Sequence, residues 1–278
     1  MKLGLIGDIH GRVFHTLAAV LAWQSVLNEK LDLVIQVGDL GAFPDPDRLD
    51  PATSRFARED PTELDFSRLL NADSELEPVL LDARRQLARP IHFIRGNHED
   101  REWLDELHIR QSAPVSAVDR FDLFWHVADG TVLDFESVRI AFLGGIETTD
   151  TTECIDPEAY RELMMVPAGS IDLLVTHDAP FGIGTYRDRI QGSPMISALV
   201  ETLQPRYHVA GHYHHMAGPK TYGETVYLGL SCLLYPTQRD PSRSVQPGSL
   251  ALLDTRNGEF RHVTEDWLGA VGRNLGGE

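Results

Sequence analysis

The sequence predicts an α/β fold in which two mixed β-sheets pack face to face and helices cover both outer faces, which gives four layers. Three observations predict it. Short apolar runs recur along the 278-residue chain, and they are near-continuous rather than alternating, which is typical of strands buried on both faces. Segments with helical spacing lie between these runs, and such alternation indicates a layered α/β architecture. The middle and the last third add hairpin patterns.

Five units share one pattern, in which an apolar run ends in a small or turn residue and a polar cluster follows. We interpret each apolar run as a buried strand and each polar cluster as the turn at its carboxyl end. The units are "KLGLIGDIHG" at 2–11, "LDLVIQVGDLG" at 31–41, "RPIHFIRGNHED" at 89–100, "IDLLVTHDAP" at 171–180 and "RYHVAGHYHH" at 206–215.

Helices are predicted between these units. The last of them is the best marked, because Ser193 is a candidate N-cap and Pro194 lies in the first turn. Apolar residues recur at the spacing of an amphipathic helix in the first. The predicted helices cover 13–30, 74–89 and 192–205.

The remaining segments have a different character. Residues 115–147 contain short β-prone runs with the turn "ADG" between two of them, so we predict hairpins there. Strands also fill the last third, with Asn257-Gly258 as a hairpin turn. Residues 42–74 are rich in Pro, Asp and Arg and are predicted to form an extended loop or a small cap insertion. We expect one domain over 1–270 and a frayed tail at 271–278.

Composition restricts the class of protein. Hydrophobic residues make up 42% and charged residues 24%, as in ordinary globular proteins. No apolar run approaches the roughly 20 residues that a membrane span needs, and "MKLGLIGDIHG" lacks the features of a signal peptide. Cys154 and Cys232 match no disulfide framework, so we predict reduced thiols and a cytoplasmic protein. The net charge of −17 disfavours binding to long nucleic acids.

The ends of the five predicted strands supply oxygen and nitrogen ligands for metals. Because ligands bind at the carboxyl ends of strands in α/β sheets, these side chains are expected to converge. Carboxylate, amide and imidazole groups suit Mn, Fe, Zn or Co, and the absence of Cys from the set excludes a structural zinc finger. The residues are Asp8, His10, Asp39, Asn97, His98, His177, His212 and His214.

The five blocks "GDIHG", "VGDLG", "GNHED", "VTHDA" and "GHYHH" resemble, in order, the signature of calcineurin-like metallophosphoesterases, over about three quarters of the chain. The resemblance implies a site with two divalent or trivalent metal ions, bridged by the carboxylate of Asp39. His98 is implied to stay free of metal and to face the substrate. The other implied ligands are Asp8, His10 and His214 for one metal and Asn97, His177 and His212 for the second.

The same resemblance implies the reaction. A hydroxide held between two metals attacks the phosphorus of a small phosphomonoester or phosphodiester, and His98 protonates the departing oxygen as general acid. Arg12 and His215 are candidate substrate contacts. A carboxylate commonly orients such an imidazole. The candidates are Glu99 or Asp100 for His98 and Asp178 for His177.

Alternative specialisations stay open. "GDIHG" and "RGNHE" resemble phosphoprotein phosphatases, but "GDLGAF" lacks the Arg that grips phosphate in that branch. "THDAPFGIG" resembles lariat debranching enzymes, which are RNA-directed phosphodiesterases, and Arg187 and Arg189 follow this loop. A non-catalytic scaffold on the same fold is the alternative from another class, although a scaffold has no physical need for His98. The oligomeric state is not predicted.

Overall fold

The chain is described by a computed structural model for residues 1–235, 239–240 and 242–271. The strands are β1 (Lys2–Ile6), β2 (Leu33–Gln36), β3 (Ile91–Phe93), β4 (Val115–Ala117), β5 (Phe124–Val127), β6 (Val132–Phe135), β7 (Val138–Leu143), β8 (Leu173–Thr176), β9 (Thr185–Tyr186), β10 (Arg189–Ile190), β11 (Tyr207–Ala210), β12 (Ala217–Tyr222), β13 (Thr225–Gly229), β14 (Leu250–Asp254) and β15 (Glu259–Val263). The α-helices are α1 (Val13–Leu27), α2 (Pro51–Ala57), α3 (Asp65–Leu70), α4 (Glu77–Gln86), α5 (Arg101–Gln111), α6 (Pro157–Leu163), α7 (Pro194–Leu203) and α8 (Leu268–Val271).

Two large mixed sheets confirm the predicted fold class. The first has seven strands in the order β15-β14-β1-β2-β3-β5-β4, and the second has six in the order β12-β13-β11-β8-β7-β6. Strands β1, β2, β3 and β5 run parallel in the first sheet, and β7, β8, β11 and β13 run parallel in the second. All five predicted strand units therefore lie in the parallel parts of the sheets.

Three apolar layers hold the two sheets and the helices together. Alternation along β8 shows how: Leu173 and Val175 face the first sheet, whereas Leu174 faces the helices α6 and α7. On β1, Leu5 also lies between the sheets, and the outer face of this sheet packs against α1, α3, α4 and α5. Burial of each such leucine contributes about 1.5–3 kcal/mol. The order of layers is helix, sheet, sheet, helix.

The three predicted helices are confirmed as α1, α4 and α7. The hydroxyl of Ser193 accepts a hydrogen bond from the backbone N–H of Ile196 at 3.1 Å, so Ser193 is the N-cap of α7 as predicted. Pro194 occupies the first turn, where a missing N–H costs nothing.

The hairpins predicted within 115–147 are confirmed as β4–β5 and β6–β7. The "ADG" turn lies between these hairpins and connects the two sheets, because β5 belongs to the first sheet and β6 to the second. Asp129 in this turn accepts hydrogen bonds from Gly144 N and Arg95 Nε, both at 2.7 Å, and thereby fixes the crossing. The predicted hairpin at Asn257-Gly258 is confirmed between β14 and β15, with Asp254 paired to Glu259.

Residues 42–74 fold into short helices rather than an extended loop. They contain α2, α3 and two 3₁₀-helices, Pro46–Arg48 and Pro61–Leu64. The assignment of 1–270 to one domain stays a prediction, and 272–278 of the predicted tail lie outside the described residues. Across the described parts of the chain, no helix combines the length and the apolarity needed to cross a bilayer.

Candidate metal centre

The loops that follow β1, β2, β3, β8 and β11 meet at one end of the two sheets. There the ligand atoms of Asp8, His10, Asp39 and His214 all lie within 4.8 Å of one another. Those of Asp39, His177 and His212 form a second such group. Asp39 belongs to both groups, which is the arrangement expected of a carboxylate between two metals. The Oδ1 atom of Asn97 lies 3.2 Å from His177 Nε2, so Asn97 joins the second group.

The backbone at this site is strained. Four of the grouped residues adopt left-handed conformations, which cost a side-chain-bearing residue about 1–3 kcal/mol each and persist only where the surroundings impose them. Such outliers cluster at functional sites. The φ angles are 46° at His10, 54° at Asp39, 68° at His212 and 53° at His214.

Two glycines allow the loops to approach the carboxylates. A Cβ on Gly96 would lie 2.1 Å from Asp39 Oδ1, and one on Gly211 would lie 2.1 Å from Asp8 Oδ1. Gly96 is not in the left-handed region, so it is required by the close approach of Asp39 and not by the turn conformation.

The surroundings of His177 fit a cation. Its Nδ1 lies 3.0 Å from the carbonyl oxygen of Val37, and donating to that oxygen places the lone pair on Nε2. Nε2 then faces Asn97 Oδ1 at 3.2 Å and Asp39 Oδ1 at 3.4 Å. Three acceptor atoms that point at one another need a proton or a metal ion between them.

The pKa values of His177 and Asp39 also indicate that a cation belongs between these side chains. Burial lowers the pKa of His177, but Asp39, its hydrogen bond to His177, Asp8 and Glu99 together raise this pKa to about 10. Burial opposes ionisation of Asp39, yet the neighbouring histidines hold its pKa well below the usual range. Without metal, His177 is therefore the cation that neutralises the buried carboxylates.

One imidazole in each group is kept neutral by its surroundings. Burial and the neighbouring His214 lower the pKa of His10 in the first group to about 3, and burial also lowers the pKa of His212 in the second group. Neutral imidazole is the form that binds metal. His214 Nε2 lies 3.0 Å from His10 Nε2 and 2.9 Å from Asp8 Oδ2. The residues present thus fit two ions of the borderline type that oxygen and nitrogen ligands bind.

His98 lies beside both groups of ligand atoms, but its Nδ1 faces Asp50 and not the grouped residues. Its Nδ1 lies 3.1 Å from Asp50 Oδ2, and its backbone N–H donates to Asp39 Oδ1 at 2.9 Å. Burial lowers the pKa of His98, but Asp39 and Asp50 raise it to about 10. The imidazole therefore carries a proton at neutral pH.

Asp50 is the functional residue that sequence reasoning missed. It caps α2 by accepting from Ala52 N at 2.8 Å and Thr53 N at 3.0 Å, and its second oxygen faces His98. His98 and Thr53 outweigh burial and lower the pKa of Asp50 to about 2. The available signal was an Asp-Pro pair at a helix start inside 42–74, which indicates capping only.

The carboxylates expected to orient the histidines have other partners. Glu99 accepts from Gly96 N at 2.7 Å and so braces the turn. Asp100 is the N-cap of α5. Asp178 accepts from the hydroxyl of Tyr213 at 3.0 Å, whereas His177 donates to the backbone instead. The ring nitrogens bind elsewhere, since His98 Nδ1 faces Asp50 and His177 Nδ1 faces the carbonyl oxygen of Val37.

Arg12 and His215, the two predicted substrate contacts, differ in burial and in their partners. Arg12 is 1% exposed, and its Nη2 lies 3.0 Å from Asp60 Oδ2 and 2.7 Å from Glu63 Oε1. It is thus not the free guanidinium that the prediction assumed. His215 is partly buried, with Nδ1 2.9 Å from Tyr213 O, and its contact with substrate stays a prediction.

Comparisons with known proteins give relatives and a shared fold. A lariat debranching enzyme of Arabidopsis thaliana is 23% identical over 248 residues, which are 77% of this chain and 54% of the relative. One from Drosophila pseudoobscura pseudoobscura is 25% identical over 251 residues, 77% of this chain and 42% of the relative. The chain thus spans about half the length of the curated relatives it matches. The structure of TT1561 of Thermus thermophilus is 14% identical with a TM-score of 0.52, covering 95% of this chain and 98% of that one, and shares the fold.

The family is shown by a broader match. The model of the calcineurin-like phosphoesterases matches residues 1–216, a range that contains all five blocks and every grouped side chain described above. On this match and this geometry, the chain belongs to the calcineurin-like phosphoesterase family.

Proposed function

We propose that the protein is a phosphoesterase with a dinuclear metal site, which hydrolyses a small phosphomonoester or phosphodiester with His98 as general acid. One observation carries the proposal. Asp39 is shared by two groups of ligand atoms, and the same Asp39 oxygen accepts the backbone N–H groups of Asn97 and His98 at 2.8 and 2.9 Å. The carboxylate that would join the metals thereby also positions the general acid.

The roles of the ligands follow the two groups. Asp8, His10 and His214 would hold one ion, Asn97, His177 and His212 the other, and Asp39 both. When bound, the two ions supply Lewis acidity, which activates water and neutralises charge on the phosphoryl oxygens. Mn, Fe, Zn and Co all suit this donor set.

His98 supplies the proton for the leaving oxygen. Because Nδ1 faces Asp50, the proton on Nε2 is the one that can be transferred. Without metal, Asp39 and Asp50 raise the pKa of His98, and the Asp50 carboxylate, which is not a metal ligand, would still favour the protonated ring when the ions are bound. Asp50 fixes the orientation of the ring, and transfer from a positioned imidazole is worth roughly 10²–10⁴-fold in rate.

An RNA-directed phosphodiesterase is the second candidate. The lariat debranching relatives favour it, as does the β9–β10 hairpin. Tyr186 in this hairpin is 60% exposed, and Arg187 lies over its ring at 5.1 Å, a pairing that suits stacking on a base. The net charge of −17 opposes binding to a long strand. A phosphoprotein phosphatase and a non-catalytic scaffold have less support, the scaffold because it needs no His98–Asp50 pair.

Hydrolysis of two chromogenic esters tests the proposal. Wild-type protein loaded with Mn²⁺ is expected to hydrolyse p-nitrophenyl phosphate, bis-p-nitrophenyl phosphate or both, and His98→Asn is expected to lose that activity while retaining its metal. Metal-loaded protein that hydrolyses neither ester, nor short RNA, would contradict an enzymatic role.

The two free thiols, Cys154 and Cys232, support the further proposal of a reducing, cytoplasmic compartment.

A further inference from the structure

A small cavity opens beside His98, between helix α2 and the first ligand group. Its volume is about 110 Å³. Helix α2 contributes Ala52, Thr53 and Phe56 to its lining, and Cys232 and Leu234 also line it. His98 and the histidines of the first ligand group close the side that faces the metal centre.

The polar side chains of the lining already have partners in the protein, which leaves little for a polar group to bind: Thr53 and His98 bind Asp50, and His10 lies against His214. Cys232 and Leu234 are each 2% exposed, and burial raises the pKa of the Cys232 thiol to about 12, so the thiol is neutral. Arg12 and Glu63, which also line the cavity, already bind each other at 2.7 Å. A charged or strongly hydroxylated group would lose its water here without compensation.

The position of the cavity identifies its occupant. A general acid must come within hydrogen-bond distance of the leaving oxygen, and whatever is attached to that oxygen continues past His98. The cavity is the space that borders His98 there. Its volume is somewhat below the about 150 Å³ of an engineered apolar cavity that binds benzene.

We propose that this cavity receives the leaving group of the substrate, and that the leaving group is compact, uncharged and apolar, such as a small phenol or aliphatic alcohol. The inference rests on the proposed function of the same site. It makes residues 42–74 the specificity element of the protein, because Asp50 both caps α2 and binds His98. Esters of serine, of ribose or of glycerol are disfavoured, since their hydroxyl or charged groups find no partner in the cavity.

Binding of phenol to metal-free protein tests the cavity independently of catalysis. Ala52→Leu fills the cavity, whereas Ala57→Leu adds the same atoms to the same helix at a position that does not line it. By isothermal titration or ligand-observed NMR, phenol is expected to bind wild type and Ala57→Leu equally and Ala52→Leu at least tenfold more weakly. Equal binding to all three proteins would overturn the inference, and so would equal binding of glycerol and phenol to wild type.

A variant with a larger cavity is the second test, because a gain of binding cannot result from misfolding. Phe56→Ala removes one wall and is expected to admit 2-naphthol, which the wild type excludes. Binding of 2-naphthol to wild type as tight as binding to Phe56→Ala would contradict the stated size limit.

Kinetics then separate the inference from the function on which it rests. The ratio of kcat/KM for phenyl phosphate to that for glycerol 2-phosphate is expected to fall about tenfold in Ala52→Leu and to stay constant in Ala57→Leu. Hydrolysis with an unchanged ratio would leave the proposed function intact and remove the cavity assignment. Specific binding of phenol by a protein that hydrolyses no ester would support the cavity as a binding site and contradict the proposed function.

Discussion

His98 Nδ1 lies 3.1 Å from Asp50 Oδ2, although 48 residues separate them in the chain. His98 belongs to the block "GNHED", whereas Asp50 lies in a segment that matches no motif. The pair joins a residue of that block to a helix start. The helical segment 42–74 thereby reaches His98, whose backbone N–H binds the Asp39 carboxylate that both ligand groups share.

Replacement of Asp50 tests this pair through the pH dependence of activity. Asp50 raises the pKa of His98, so loss of its charge in Asp50→Asn lowers that pKa, and the protonated acid is lost at a lower pH. We expect the alkaline limb of the kcat/KM profile to move to lower pH, with activity reduced about tenfold at pH 9. Asn retains the capping of α2. Asp47→Asn, at an exposed position nearby, should leave the profile unchanged, and an unmoved limb in Asp50→Asn would refute the role.

Removal of His98 separates proton donation from metal binding. His98→Ala is expected to keep the metal content of wild type and to lose roughly 10²–10⁴-fold in kcat. The loss should be smaller for a p-nitrophenyl ester than for a phenyl ester, because p-nitrophenolate needs less help from an acid. A halved metal content in this variant would make His98 a ligand instead.

Metal binding is expected to release protons. In metal-free protein the pKa of His177 is about 10, so this imidazole is protonated at pH 7.5 and must lose its proton to bind an ion. The sign is fixed: metal affinity falls as pH falls, by about tenfold per unit per displaced proton. Titration calorimetry in two buffers of different ionisation enthalpy gives the number of protons, and a value near zero would contradict the assignment.

The buried ion pairs of Arg12 are expected to be structural. Arg12→Ala leaves Glu63 buried, 5% exposed, without its cation and leaves Asp60 with Arg243 alone at 2.9 Å, and should lower the free energy of unfolding by about 3–5 kcal/mol. Arg68→Ala is the control, because Arg68 pairs with Asp65 while 62% exposed and should cost at most about 1 kcal/mol. Urea denaturation measures both. A stable Arg12→Ala protein with a raised KM would instead restore Arg12 as a substrate contact.

The strands and the grouped ligands could be predicted because their signals are local. An apolar run followed by Asp8 or by His177 marks the end of a strand, whichever strand it pairs with. Parallel strands then bring such ends together at one edge of the sheet. The "ADG" turn could not be placed, because the same turn residues suit a hairpin and a crossing between sheets. Asp50 was missed since only the tertiary fold brings it to His98, and local composition shows no more than a helix cap.

The metal content of wild type and of Asp39 variants tests the central claim most directly. Proteins are loaded with Mn²⁺, dialysed and measured by elemental analysis, with circular dichroism to establish that each variant is folded. We expect two ions per chain in wild type and fewer than one in Asp39→Asn and Asp39→Ala, because the carboxylate that both ligand groups share is gone. Two ions per chain in either folded variant, or at most one in wild type, would contradict a dinuclear centre bridged by Asp39.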